Sequence, residues 1–145
     1  MVEYEFVRKH GVMNLSHIMD LIRQLWPQKR PQDLQEKKKL LWRKPTRIFL
    51  AKEEGKVLGL VTFRPKLFGF IAYVPELVVC EEARGRGIGK NLLKKIVTYA
   101  KKRSCLGVFL ASTMKRRESH RFYKKNGFKN IGSLFFRPVT ASSQR

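Results

Sequence analysis

The residues Arg84-Gly85-Arg86-Gly87-Ile88-Gly89-Lys90 alternate glycine with cations between an apolar, β-branched run (Leu77-Val78-Val79-Cys80) and a helix-patterned stretch that opens with Asn91-Leu92-Leu93. Glycine adopts backbone conformations closed to larger residues and lets the chain approach a ligand closely. The N–H groups left without partners at a helix start point into such a turn, with the positive end of the helix dipole behind them. This is phosphate-binding chemistry, and Arg84, Arg86 and Lys90 add formal charge to it. The spacing excludes two frequent owners of such loops. A dinucleotide fold needs G-x-G-x-x-G with an acidic residue about 20 residues on, whereas the chain has G-x-G-x-G and no acid between Arg84 and Arg117. A nucleotide triphosphate loop needs Lys-Ser or Lys-Thr after its last glycine; here Lys90-Asn91 follows.

What remains is Arg/Gln-x-x-Gly-x-Gly/Ala, written here as Arg84 to Gly89. A plain basic linker has the same composition, and a second motif decides between them. In Ser119-His120-Arg121-Phe122-Tyr123-Lys124-Lys125-Asn126-Gly127-Phe128, a helix carrying an aromatic pair stops at Asn126-Gly127 and a strand is expected from Phe128. In this order and separation, the two motifs resemble the GNAT family of N-acetyltransferases, closest in layout to its aminoglycoside 6′-N-acetyltransferase-like members.

The resemblance implies acetyl-CoA as cosubstrate, with its pyrophosphate on Arg84, Gly85, Arg86, Gly87, Ile88, Gly89 and Lys90. It implies two splayed parallel strands, Leu77–Cys80 and Leu106–Ala111, with backbone groups near Val78 and Val79 bonding the pantetheine arm and one N–H polarising the thioester carbonyl. Tyr123 matches the tyrosine that protonates the leaving thiolate in many members; the alternative is an aromatic packed beneath the cosubstrate. Glu76 is the carboxylate nearest this gap, either a general base working through a water or a solvent-facing strand residue. Glu81 and Glu82 fall in the turn and balance the arginines. Many members carry an asparagine seven residues before the tyrosine; here that place is Arg116, which could reach a phosphate instead. Transfer would be direct, in a ternary complex, and needs no metal.

These groups require an α/β (α+β) frame. The apolar spacing predicts strand Glu3–Lys9, a helix from Asn14 or Ser16 to Trp26 with Leu15, Ile18, Met19, Ile22 and Leu25 on one face, and a second helix from Pro31 and Asp33 to Arg43. Next come strand Ile48–Ala51, a turn at Glu53–Lys56 and strand Val57–Phe63. Phe70–Cys80 reads as a long strand that Pro75, lacking an N–H, should bulge or break. Helix Gly87–Lys102 turns Ile88, Leu92, Ile96, Val97 and Ala100 inward, and strand Leu106–Ala111 follows. After the Tyr123 helix come strands at Phe128–Ile131 and Leu134–Arg137. The expected whole is one domain over residues 1–139, a mixed, mostly antiparallel twisted sheet of about seven strands flanked by about four helices, with a disordered tail at 140–145.

With 145 residues and 43% hydrophobic content the chain can bury a core. No apolar run reaches membrane-spanning length and the start lacks a signal-peptide core, so a cytoplasmic location is expected, with Cys80 and Cys105 as buried free thiols. Net charge is +21, with only Glu118 acidic from Arg84 to the end. Such a surface either solubilises the chain or meets an acidic protein, a ribosome or nucleic acid. A non-catalytic basic module binding nucleic acid or the ribosome is therefore an alternative, and a homodimer is open. Lys37, Lys38, Lys39, Arg43 and Lys44 would repel a polycationic aminoglycoside. A neutral or acidic small amine, or a protein or peptide amine, fits the charge better.

Overall fold

The computed structural model describes residues 1–7, 15–25, 32–33, 35, 46–67, 69–111, 117–132 and 137. The chain divides into two compact units, Met1–Ala111 and Ser112–Arg145. Among the described residues no helix is long and apolar enough to cross a membrane.

The first unit is built on strands β1 (Glu3–Val7), β2 (Arg47–Glu53), β3 (Lys56–Leu67), β4 (Ile71–Val79) and β5 (Gly107–Leu110), in spatial order β1-β2-β3-β4-β5. The first four pair antiparallel and β5 joins β4 in parallel. Glu54 and Gly55, both at positive φ, turn β2 into β3. Alternation along β3 splits its side chains between the two faces. Phe63 stacks on Phe49 and meets Tyr99 edge-on, with ring centroids 5.0 Å apart. Tyr99 belongs to helix α2 (Ile88–Lys102), so Phe63 marks the α2 face, where Phe6 completes the aromatic cluster. Helix α1 (Leu15–Leu25) packs on β3 and β4 and covers the other face, burying Ile18, Met19, Leu21 and Ile22 with Leu58, Leu60 and Val78.

Helix α2 buries Ile88, Leu92, Leu93, Ile96 and Ala100, Leu93 taking the place expected of half-buried Val97. Its wet side repeats lysine (90, 94, 95, 101 and 102) with no acid on the helix. Like charges one turn apart oppose a helix by a few tenths of a kcal/mol per pair. Burial of each large aliphatic contributes about 1.5–3 kcal/mol, so packing rather than propensity holds α2 in place.

The second unit contains helix α3 (Arg117–Lys125), ended by a Schellman stop. Gly127 sits at φ 91°, its N–H donating to Lys124 O and that of Phe128 to Tyr123 O.

Two expectations are corrected. Five strands stand among the described residues rather than seven, together with three α-helices. Residues 128–131 form no strand; a strand exists only by pairing, and the expected partner, Leu134–Arg137, lies apart from Arg137 outside the described residues. The second expected helix is helical at Gln32, Asp33 and Gln35; the rest of it, with Lys37–Lys39, Arg43 and Lys44, also lies outside them, as does the tail at 140–145. Both cysteines are free, Cys80 buried and Cys105 half-buried.

Candidate active site

Pro75 does what its missing N–H dictates. Thr62 stands opposite Glu76, but Arg64 stands opposite Tyr73, so β4 carries one extra residue at Val74-Pro75. Pairing with β5 runs from Ile71↔Gly107 to Val74↔Leu110 and stops at this bulge, while β4 continues to Val79. From Pro75 onward, among the described residues, the edge of β4 away from β3 is unpaired. This is the splay expected between the two parallel strands.

Which backbone groups line that edge follows from the ladder. The Cys80 N–H donates to Leu58 O at 2.8 Å. Antiparallel pairs alternate between bonded and unbonded, which turns the N–H and C=O of Val78 toward Leu60. The groups facing the open edge therefore belong to Leu77 and Val79. Of the two valines expected there, Val79 turns its backbone groups to the open edge, whereas Val78 spends its own on β3 and buries its side chain. The Arg84 Nε–H reaches the Val79 carbonyl from that side at 3.1 Å, tying the loop to the open strand.

Beyond β4 a single 3₁₀ turn, Glu81–Ala83, leads to the glycine loop. Gly85 (φ 82°) and Gly87 (φ 80°) are left-handed, Gly87 serving as the N-cap of α2 without any side-chain cap. The first intrahelical bond is from Asn91 N–H to Gly87 O, 3.0 Å, so the N–H groups of Ile88, Gly89 and Lys90 lack intrahelical acceptors. No acid sits in this first turn, and Lys90 there opposes the dipole that an anion would satisfy. A Cβ on Gly85 or Gly87 would meet nothing within 4 Å. The cradle has the donors, charge and room that a pyrophosphate needs.

Its position depends on residues that local patterns do not reveal. Gly59 on β3 lets α2 seat: a Cβ there would lie 3.1 Å from Val78 O and 3.3 Å from Ile88 Cγ2. Asn91 Nδ2 donates to the Tyr4 hydroxyl at 3.0 Å, with Lys95 Nζ 5.9 Å from the same ring centroid. Arg86 is held by both oxygens of Glu53 at 2.8 and 3.1 Å, which keeps the Glu53 carboxyl below its ordinary value. Of the three loop cations, Arg86 thus braces the loop on β2. No local signal links Glu53 to Arg86, 33 positions apart.

Glu76 is not a solvent-facing strand residue; it is 3% exposed, beside fully buried Thr62. The Thr62 hydroxyl donates to Glu76 Oε2 and accepts from the Glu76 backbone N–H at 3.2 Å. This two-point tie fixes the carboxylate against the ladder, and sequence reasoning missed Thr62 because the register was unknown. In the second unit, Tyr123 occupies the third-from-last helical position of the Schellman stop. Its ring meets Phe122 and Phe128 edge-on, at 5.4 and 5.9 Å between centroids. The motif Phe-Tyr-x-x-Asn-Gly-Phe is thus a capping device that locks the tyrosine ring. Arg116 lies outside the described residues.

Comparison with known proteins agrees with this geometry. The model of the acetyltransferase (GNAT) family matches residues 15–128. The chain is 32% identical over 84 residues to the aminoalkylphosphonate N-acetyltransferase of Salmonella typhimurium, covering 55% of this chain and 54% of that protein. It is 30% identical over 79 residues to the N-acetylaspartate synthetase of Xenopus tropicalis, covering 54% of this chain and 29% of that protein. The matched stretch thus spans about half the length of the first relative and less of the second. In fold it is similar to an aminoglycoside N-acetyltransferase, AAC(6′)-Iy, solved in complex with CoA (TM-score 0.79, 16% identity, 97% and 96% of the two chains). With a glycine–arginine cradle, a splayed strand edge and a family match over most of its length, the chain belongs to the acetyltransferase (GNAT) family.

Proposed function

We propose that this protein is an acetyl-CoA-dependent N-acetyltransferase acting on a small primary amine that carries an anionic group. The observation that carries the reading is the left-handed glycine loop opening α2 at the end of a strand whose outer edge is unpaired. A strand edge offers amide partners to an extended chain, and the helix start offers N–H groups to its phosphates. In this reading Gly85, Gly87 and the N–H groups of Ile88, Gly89 and Lys90 hold the pyrophosphate, with Arg84 and Lys90 adding charge, and Arg116 is a further candidate. Leu77 and Val79 hold the pantetheine amides, and one of their N–H groups polarises the thioester carbonyl.

Acetyl-CoA supplies an acyl group on a good leaving thiolate. Glu76 accepts the proton that the amine must lose, directly or through a water, as the amine nitrogen bonds the acetyl carbon and the carbon–sulfur bond breaks. Tyr123 gives its proton to the departing sulfur. Its motif and its ring locked between Phe122 and Phe128 support this role.

Two features support the substrate class. A chain of net charge +21 attracts anions and repels polycations. The two curated relatives are named for amines bearing a phosphonate and a carboxylate. The likeness to an aminoglycoside enzyme extends to the fold alone, and weak or no turnover of kanamycin-like amines is expected.

The test is calorimetric titration of acetyl-CoA into wild type and Gly87→Glu, followed by an amine screen read by free-thiol release. Micromolar binding abolished by the substitution supports the reading. Wild-type protein that binds no acetyl-CoA would overturn it and make RNA, titrated at two salt concentrations, the next ligand to test. With cosubstrate bound, Tyr123→Phe should lower kcat about a hundredfold or more without loss of folding.

A further inference from the structure

We infer that Arg64 is the receptor for the anionic group of the amine substrate, an assignment that rests on the acetyltransferase reading above. Thr62 and Arg64 are two residues apart on β3 and so share a face, the one opposite Phe63. Across the ladder they are paired with Glu76 and Tyr73, and paired residues share a face. The four side chains therefore form one patch on the α1 side of the sheet. The patch lies at the step where β4 parts from β5, after Val74↔Leu110.

Within the patch the polar groups are unequally satisfied. The Glu76 carboxylate is tied to Thr62. The Nε–H of Arg64 is buried, and among the described residues it has no hydrogen-bond partner and the guanidinium makes no ion pair. Buried donors are nearly always paired, so an unpaired one calls for a reason. The Nε–H and its neighbouring Nη–H form the edge of a guanidinium that grips a carboxylate or phosphonate through two parallel bonds. One member of that pair is the orphan. The residue as a whole is half-buried, and Tyr73, 5.9 Å from the Phe109 ring centroid, adds an aromatic wall.

The spacing fits one small molecule. Positions two apart on a strand are separated by about 6.5–7 Å, so Arg64 and the Thr62–Glu76 pair stand side by side. An anion held on Arg64 would carry an amine a few bonds away to the Glu76 carboxylate. Arg64 thereby selects short anionic amines over neutral ones.

The experiment uses two probes of similar reach, 2-aminoethylphosphonate and ethanolamine, with wild type, Arg64→Gln and Arg64→Lys. Each is read by thiol release at saturating acetyl-CoA and by calorimetric titration of the phosphonate. Thermal melts confirm that the variants fold. Wild type should favour the phosphonate, and Arg64→Gln should raise its KM about ten- to hundredfold, the size expected when a charged hydrogen-bond partner is removed. The KM for ethanolamine should change far less, and Arg64→Lys should fall between wild type and Arg64→Gln. The inference is overturned if Arg64→Gln slows both amines alike, or if acetyl-CoA-binding wild type fails to distinguish the probes or uses neither. Failure of wild type to bind acetyl-CoA would instead sink the acetyltransferase reading. The phosphonate titration would then still decide: binding lost in Arg64→Gln supports the anion site, and equal or absent binding removes it.

Discussion

Replacing Gly59 by alanine tests how the phosphate loop is positioned, because the added methyl group would act on α2 rather than on the loop itself. The new Cβ would stand 3.1 Å from the Val78 carbonyl oxygen and 3.3 Å from both Ile88 Cγ2 and Val79 Cγ2. Alanine in a strand interior gains about 0.5–1 kcal/mol over glycine through lower backbone entropy. Against this, the Val78 carbonyl is fixed by the ladder and cannot retreat without loosening β3 from β4. Ile88 is 2% exposed and opens α2. Overpacking of a site with rigid neighbours costs about 1–3 kcal/mol, so the crowding wins. The melting temperature should fall by several degrees, at roughly 2–4 °C per kcal/mol for a chain of this size. Because the Val78 carbonyl cannot retreat, relief must come from Ile88 at the start of α2 and from Val79 at the open strand edge, and calorimetry should show weaker acetyl-CoA binding even well below the melting point. A variant as stable as wild type with unchanged affinity would refute the argument that this close approach sets the loop.

Other expectations follow from single contacts. Gly87→Ala meets no neighbouring atom but must hold φ near 80°; a loss of about 1–2 kcal/mol in urea denaturation is expected, and no loss would mean the loop relaxes freely. Thr62→Val removes the hydroxyl from the Glu76 carboxylate and should destabilise by about 1–3 kcal/mol, with Thr62→Ser recovering most of it, as denaturant titrations would reveal. The Glu53 carboxyl, lowered first by its hydrogen bonds from Arg86 and further by the Met1 ammonium 3.6 Å away, should titrate by NMR below its ordinary value and move back toward it in Arg86→Gln. The stability from that exposed pair is full above the ordinary carboxylate range and lost as pH falls through the lower folded value, less so at high salt. Burial, then a hydrogen bond with Glu82, pushes the Cys80 thiol up. A disulfide reagent at neutral pH should label Cys105 first and Cys80 only on unfolding; equal rates would contradict its burial.

Much of the frame was legible because its causes are local. Pro75 lacks a donor wherever it is placed, and the bulge at Val74-Pro75 appears where that lack requires it. Asn126-Gly127 stops α3 because glycine accepts the left-handed turn, and the same stop explains why Tyr123 and Phe128 recur together. The inward face of α2 was readable to within one residue, Leu93 for Val97, since helical period places residues only to within part of a turn. The expected strand at Phe128–Ile131 was not found, for a strand depends on a partner that no local pattern supplies.

The amino-acid order alone therefore determines the loop chemistry, the breaks and caps, and through two spaced motifs the family. These depend on backbone freedom, missing donors and charge within a few neighbouring residues. Tertiary structure decides which groups meet. The hydrogen-bonding alternation of β3 and β4 turns Leu77 and Val79, not Val78, toward the open edge. The 14-residue separation of Thr62 and Glu76 closes only through the β3–β4 register. Glu53 reaches Arg86 only when the β2–β3 turn comes beside the loop. Tyr73 joins Arg64 and the Thr62–Glu76 pair on one face only because one extra residue at the bulge resets its register. Register and bulge are properties of paired strands, so contacts that depend on them become visible only once the chain has folded.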